Sequence, residues 1–147
     1  MENLNIRQWM KSTPLTIGPK ENLRRARGLM HSANVQELLV VDEGKLVGIL
    51  NEQDIWSHCP TSVLVLEEKQ ANDLLEQIRV GGVMTLHPPV ITPDTPLRMA
   101  LQLFAQTGRH GLAVVDDGSL VGLLTEECAL QATVAVLKEI EQGTAKK

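Results

Sequence analysis

Apolar and polar positions follow two rhythms along this chain, and each rhythm occurs twice. In "ELLVVDEGKLVGIL" (37–50) and "GLAVVDDGSLVGLL" (111–124), paired aliphatic runs flank an acid-Gly turn. Such runs predict hairpins, with Gly44 and Gly118 taking positive φ at no steric cost. Leu23, Ala26, Met30 and Ala33 recur at helical spacing within 20–33, and Leu97, Ala100, Leu101 and Phe104 repeat that pattern. "PLTIGP" (14–19) and "PVITP" (89–93) read as short strands fenced by prolines. After each hairpin, Asn51 and Thr125 are placed to cap a helix that carries acids in its first turn.

The pattern predicts two β-α-β-β-α units, a mixed α+β fold. A shift of 74 residues superposes them without a gap from Ile6/Val80 to Ile55/Ala129. It carries Met10 onto Met84, Ile17 onto Ile91 and Leu38 onto Leu112. A run of this length argues for duplication. Repeat arrays usually need three or more units, so two imply a closed pair. The boundaries follow: repeat 1 over 5–59, a connector over 60–79 that is helical within 66–78, repeat 2 over 80–141 with its last helix over 126–141, and a mobile tail over 142–147. The strands are apolar on both faces. Each small sheet therefore needs cover on both sides, by helices on one and by the other repeat's sheet on the other.

Composition narrows the function classes. A net charge of −4 gives no general attraction for nucleic acid or an anionic membrane, and 2% aromatic residues leave little to stack on bases. "MENLNIRQWMK" (1–11) is no signal peptide, and "ALQATVAVL" (129–137) is too short to cross a bilayer. Cys59 and Cys128 stand apart, which fits a reducing, cytoplasmic setting. His31, His58, His87 and His110 are scattered without zinc-ligand spacing, and no P-loop or GxGxxG occurs. Cys59 next to His58 shows no base–orienter arrangement. These features point away from an enzyme. Trp9 and Trp56 read as packing residues, and Arg24, Arg25 and Arg27 as a solvated helix face.

Over residues 5–131 the chain resembles a CBS domain pair, or Bateman module. The resemblance is carried by the run from Trp9 to Met30, by "VMTLHPPVITPDTPLRMALQLF" (83–104), and by the hairpins ending in "GILNEQD" (48–54) and "GLLTEEC" (122–128). It implies two repeats packed as a pseudo-twofold pair with clefts between them. It further implies a regulatory module binding an adenosine ligand (AMP, ADP or ATP) and signalling to a partner protein.

Family ligand contacts use a Gly-h-h-Thr/Ser-x-x-Asp stretch, where h is apolar. A carboxylate on the first helical turn can accept bonds from ribose hydroxyls, and a hydroxyl can reach ribose or phosphate oxygens. Here that pattern is split: Gly48, Asn51 and Asp54 keep the acid, while Gly122 and Thr125 keep the hydroxyl but end in Cys128. A thiol is a poor substitute acceptor. Arg109 and His110, in "TGRHG" (107–111), match the family's basic phosphate-contact position, where repeat 1 has Val35 and Gln36. The first-turn acids Glu52, Glu126 and Glu127 oppose phosphate placed directly at these helix starts. The competing reading is that Asn51, Thr125 and Asp54 are helix-start residues only, in a ligand-free dimerisation and docking module. Leu130, Val134, Leu137 and Ile140 give the last helix more apolar surface than one unit needs, which predicts a homodimer.

Overall fold

A computed structural model describes residues 4–12, 14–57 and 67–145; His58 and Cys59 lie outside the described residues. The elements are β1 (Thr16–Ile17), α1 (Leu23–Ala33), β2 (Glu37–Asp42), β3 (Lys45–Asn51), α2 (Glu52–Ser57) and α3 (Glu68–Leu75), then a 3₁₀ turn at Val80–Gly82. There follow β4 (Thr85–Leu86), β5 (Val90–Ile91), α4 (Leu97–Thr107), β6 (Gly111–Asp116), β7 (Ser119–Thr125) and α5 (Glu126–Ala145).

Local chemistry explains the boundaries. The Asn22 side chain accepts the Arg25 N–H at 2.9 Å and starts α1, while Asn34 ends it in the left-handed region at φ 52°. α4 begins after Pro96, whose fixed φ suits a helix start, and ends on Gly108 at φ 66°. Asn34 and Gly108 are equivalent under the 74-residue shift, so one backbone solution serves both repeats. Both hairpin turns have two consecutive residues at positive φ: Glu43 and Gly44 at 52° and 81°, Asp117 and Gly118 at 53° and 82°. This is the mirror-image turn whose twist matches the flanking strands. α5 continues through Gly143 to Ala145, so residues 142–145 are helical rather than a loose tail. A helical glycine costs only about 1 kcal/mol, and no proline stops the helix.

The chain forms two compact units, and these cross the sequence repeats. Unit 1 comprises Met1–Pro14 and Pro89–Lys147; unit 2 is the continuous stretch Leu15–Pro88. Each repeat's leading segment thus packs on the other repeat's hairpin. In unit 2 the sheet order is β1-β2-β3-β4, with β4 antiparallel to β3 through Gly48↔Leu86 and Ile49↔Thr85. In unit 1, β5-β6-β7 form the sheet, and Lys11 takes the equivalent place beside Leu123 with paired backbone bonds of 2.8 and 2.9 Å.

Two matching cores result. Ile17, Leu23, Ala26, Leu38, Val40, Leu50, Ile55 and Val80 centre unit 2; Ile6, Leu97, Ala100, Leu112, Val114, Leu124 and Ala132 centre unit 1. Ile6 and Val80 are equivalent, and both are completely buried. Leu39 and Ile49 face each other across β2 and β3 and are 2% exposed, although neither belongs to the unit 2 core cluster. Both faces of this hairpin are out of water, as its double-sided apolar pattern requires.

Candidate functional site

The hairpins deliver the polar candidates to the ends of β3 and β7. In unit 2, Asn51 Oδ1 accepts the Asp54 N–H at 2.7 Å, and Asp54 Oδ2 accepts the Asn51 N–H at 3.0 Å. This reciprocal pair satisfies two backbone donors at the start of α2. Asn51 and Asp54 are both part-buried, and Glu37, also part-buried, lies opposite Asn51 in the sheet. Asn51 and Asp54 are therefore the helix cap that the sequence suggested, and their oxygens are clustered at one edge of unit 2.

In unit 1, only half of that arrangement survives. Thr125 Oγ1 accepts the Cys128 N–H at 3.1 Å. Cys128 cannot return the bond as a carboxylate would. It is instead 9% exposed and belongs to the core beside Ala129 and Ala132. Position 128 has changed from polar edge to hydrophobic packing.

A second polar group joins Thr125. The Glu126 N–H donates to the His110 carbonyl at 3.1 Å, and His110 Nδ1 lies 3.3 Å from Glu126 Oε1. Gly111 pairs with Thr125 across β6 and β7. Arg109, His110, Thr125 and Glu126 thus share one edge of unit 1, with Arg109 half-buried and His110 exposed. Glu126 places a carboxylate where the sequence put the basic phosphate contact. The equivalent acid of repeat 1, Glu52, also has a histidine partner, but a different one: His31 at 4.0 Å.

The two candidate glycines have a packing task. A Cβ on Gly48 would stand 2.6 Å from Met84 Sδ and 3.0 Å from the Thr85 carbonyl oxygen. One on Gly122 would stand 2.7 Å from the Lys11 carbonyl oxygen and 3.0 Å from Met10 Sδ. Each glycine admits the leading segment packed against its hairpin. The repeated methionines and glycines were visible in the sequence; their pairing was not, because the segments exchange.

The arginine triplet is less uniform than its pattern implied. Arg24 pairs with Glu76, and Arg25 lies 3.4 Å from Glu21. Arg27, by contrast, is part-buried and lies over the Trp56 ring at 5.0 Å, a cation–π contact. Arg7, bound to Asp94 at 2.8 Å, has its pKa raised by that hydrogen bond and charge. No group of three or more potential metal ligands is found among the described residues.

The chain belongs to the CBS domain family, whose model matches residues 6–55 and 80–134. It is 33% identical over 133 residues to CBSCBSPB5 of Arabidopsis thaliana, covering 89% of this chain and 23% of that protein. It is 29% identical over 120 residues to YhcV of Bacillus subtilis, covering 82% of this chain and 79% of YhcV. The chain thus spans under a quarter of the first plant relative but most of the bacterial one. Among solved structures, the CBS-pair protein CBSX2 from Arabidopsis thaliana aligns with a TM-score of 0.80 at 25% identity, over 92% of this chain and 98% of CBSX2. A structure of CBSX2 in complex with AMP aligns with a TM-score of 0.73 at 26% identity, over 90% of this chain and 97% of that one.

Proposed function

We propose that this CBS pair is a non-catalytic regulatory module that binds an adenine nucleotide and passes its occupancy to a partner protein. The likeness to the AMP complex of CBSX2, over nearly the full length of both chains, is the observation that carries this reading. The acceptors are Asn51 and Asp54 at the end of β3, beside Gly48. Asp54 uses Oδ2 to hold the helix start, which orients its carboxylate for ribose hydroxyls. Within unit 1, Arg109, His110 and Thr125 share one edge beside Gly122 and are that unit's own candidates for phosphate and ribose oxygens. AMP, ADP and ATP share the adenosine that Asp54 reads. A reducing, cytoplasmic setting accords with the free, buried Cys128 thiol, and among the described residues no helix is long and apolar enough to cross a membrane.

Each of the three nucleotides is titrated against the purified chain by calorimetry and by thermal melting, since a ligand of the native state raises its melting temperature. Asp54→Ala should weaken binding by about 1.5–3 kcal/mol, or roughly 10- to 150-fold. Thr125→Ala should weaken binding less than Asp54→Ala, since it removes a neutral hydroxyl rather than a carboxylate. Equal affinity in wild type and Asp54→Ala would refute the assignment of Asp54, and no response to any nucleotide would refute the ligand.

One observation favours a docking role as a second reading. Leu130, Val134, Leu137 and Ile140 of α5 are 62%, 50%, 52% and 44% exposed. Beside them runs an apolar groove of about 400 Å³ lined by Leu4, Leu97, Leu101, Ala105, Val136 and Leu137. At the positions of Leu101 and Ala105, repeat 1 has Arg27 and His31. This apolar face of unit 1 suits a homodimer or a protein partner. Sedimentation decides the dimer: a monomer at micromolar concentration would exclude it.

A further inference from the structure

The two hairpin turns have the same backbone but different chemistry. Glu43 and Gly44 have φ of 52° and 81°, while Asp117 and Gly118 have 53° and 82°. We propose that Asp117–Gly118 is a site of spontaneous isoaspartate formation, and that the first hairpin is protected from it by one methylene. Attack of the Gly118 amide nitrogen on Asp117 Cγ forms an N–C bond and a five-membered succinimide, expelling the carboxyl oxygen as water. Water then adds to the ring. Opening at the main-chain carbonyl leaves the chain running through the Asp117 β-carbon. The step is a dehydration followed by a hydrolysis and needs no oxidant or other reactant. In the first hairpin, Glu43 would have to close a six-membered ring, which is far slower.

The surroundings meet the demands of the reaction. Asp117 and Gly118 are exposed, and nothing lies within 4 Å of a Cβ built on Gly118. Asp116↔Ser119 is the last pair of the β6–β7 ladder, so the two residues form the whole turn. Among the described residues, no hydrogen bond or ion pair engages the Asp117 carboxylate or the Gly118 N–H. The carboxyl carbon is therefore unshielded and the nitrogen unengaged. No other Asp-Gly and no Asn-Gly occurs in the sequence, so this is the single dipeptide of highest succinimide tendency. The product adds a methylene to a two-residue turn that fixes the register of β6 against β7, the strand carrying Gly122 and Thr125. It also creates an exposed isoaspartyl carboxylate, the group recognised by protein isoaspartyl methyltransferases.

The folded full chain and its Asp117→Glu variant are aged at neutral pH and physiological temperature, in parallel with wild type in concentrated urea. Isoaspartate is counted by enzymatic methyl transfer from labelled S-adenosylmethionine and located by electron-transfer fragmentation. The variant copies the turn chemistry of the first hairpin and should fold. Label should grow with time in folded wild type, map to Asp117, and be lost in Asp117→Glu. The proposal is overturned if the label maps elsewhere, persists in Asp117→Glu, or appears only in urea. Absence of label from every sample overturns it as well.

Discussion

The helices α2 and α5 follow equivalent hairpins but start in different ways. α2 opens on a closed pair of hydrogen bonds between Asn51 and Asp54; α5 opens on a single bond from Cys128 to Thr125. The lost bond coincides with a gained contact, since Cys128 enters the core that Asp54 stays out of. One substitution thus exchanges edge polarity for packing. A duplicated scaffold can diverge at one helix-start position while each copy keeps a working helix start. The hairpins are more constrained there, because a Cβ on Gly48 would crowd Met84 and one on Gly122 would crowd the Lys11 backbone.

The largest expected effect tests the exchanged segments rather than the helix starts. Ile6→Ala should destabilise the chain by about 2–5 kcal/mol in urea unfolding, as for a fully buried isoleucine. The equivalent Val80→Ala should cost less, since it removes fewer buried atoms. If Ile6→Ala were neutral, the leading segment would not belong to the unit 1 core.

The glycines sharpen the same comparison. Gly122→Ala and Gly48→Ala should each cost about 1–3 kcal/mol through overpacking. Gly122→Ala should be the worse, because its Cβ meets a backbone oxygen where that of Gly48 meets first the end of a flexible methionine. Reversal of that order in thermal melts would show that the Met10–Lys11 segment yields more readily than Met84.

Next come the caps. Asn51→Ala should cost about 1–2 kcal/mol and Thr125→Ala about 0.5–1 kcal/mol, because only the first breaks a two-way cap. Equal values in chemical denaturation would mean that the Asp54 carboxylate adds nothing to the α2 start. The smallest effect belongs to the exposed His110–Glu126 contact: His110→Ala should change stability by less than about 1 kcal/mol.

Much of this was legible in the sequence, because duplication prints the same periodicity twice. The hairpins, their turns, the amphipathic α1 and α4, and the caps at Asn51 and Thr125 all follow from local patterns. What was not legible depends on contacts distant in sequence. Nothing near Met10 shows that its partner is Gly122, and nothing near Arg27 shows Trp56 beneath its guanidinium. That Gly48 and Gly122 each admit a leading segment was not legible either, because a glycine's neighbour in space leaves no mark on the adjoining residues. The end of α5 was misjudged for another reason: Gly143 and Thr144 weaken a helix without stopping it. At the candidate site, the residue types were readable, but the pairing of His110 with Glu126 was not.

The exchange of leading segments has a consequence for synthesis on the ribosome. Unit 2 is an uninterrupted stretch, Leu15–Pro88, and all its strands have been made once Pro88 emerges. Unit 1 is assembled from two stretches that flank unit 2 along the chain. Ile6, Trp9 and Met10 must wait, with their apolar side chains exposed, until β6, β7 and α5 have been made. While residues 15–88 are being made, the nascent chain therefore carries an unpaired apolar segment, a substrate for chaperones that shield short apolar stretches.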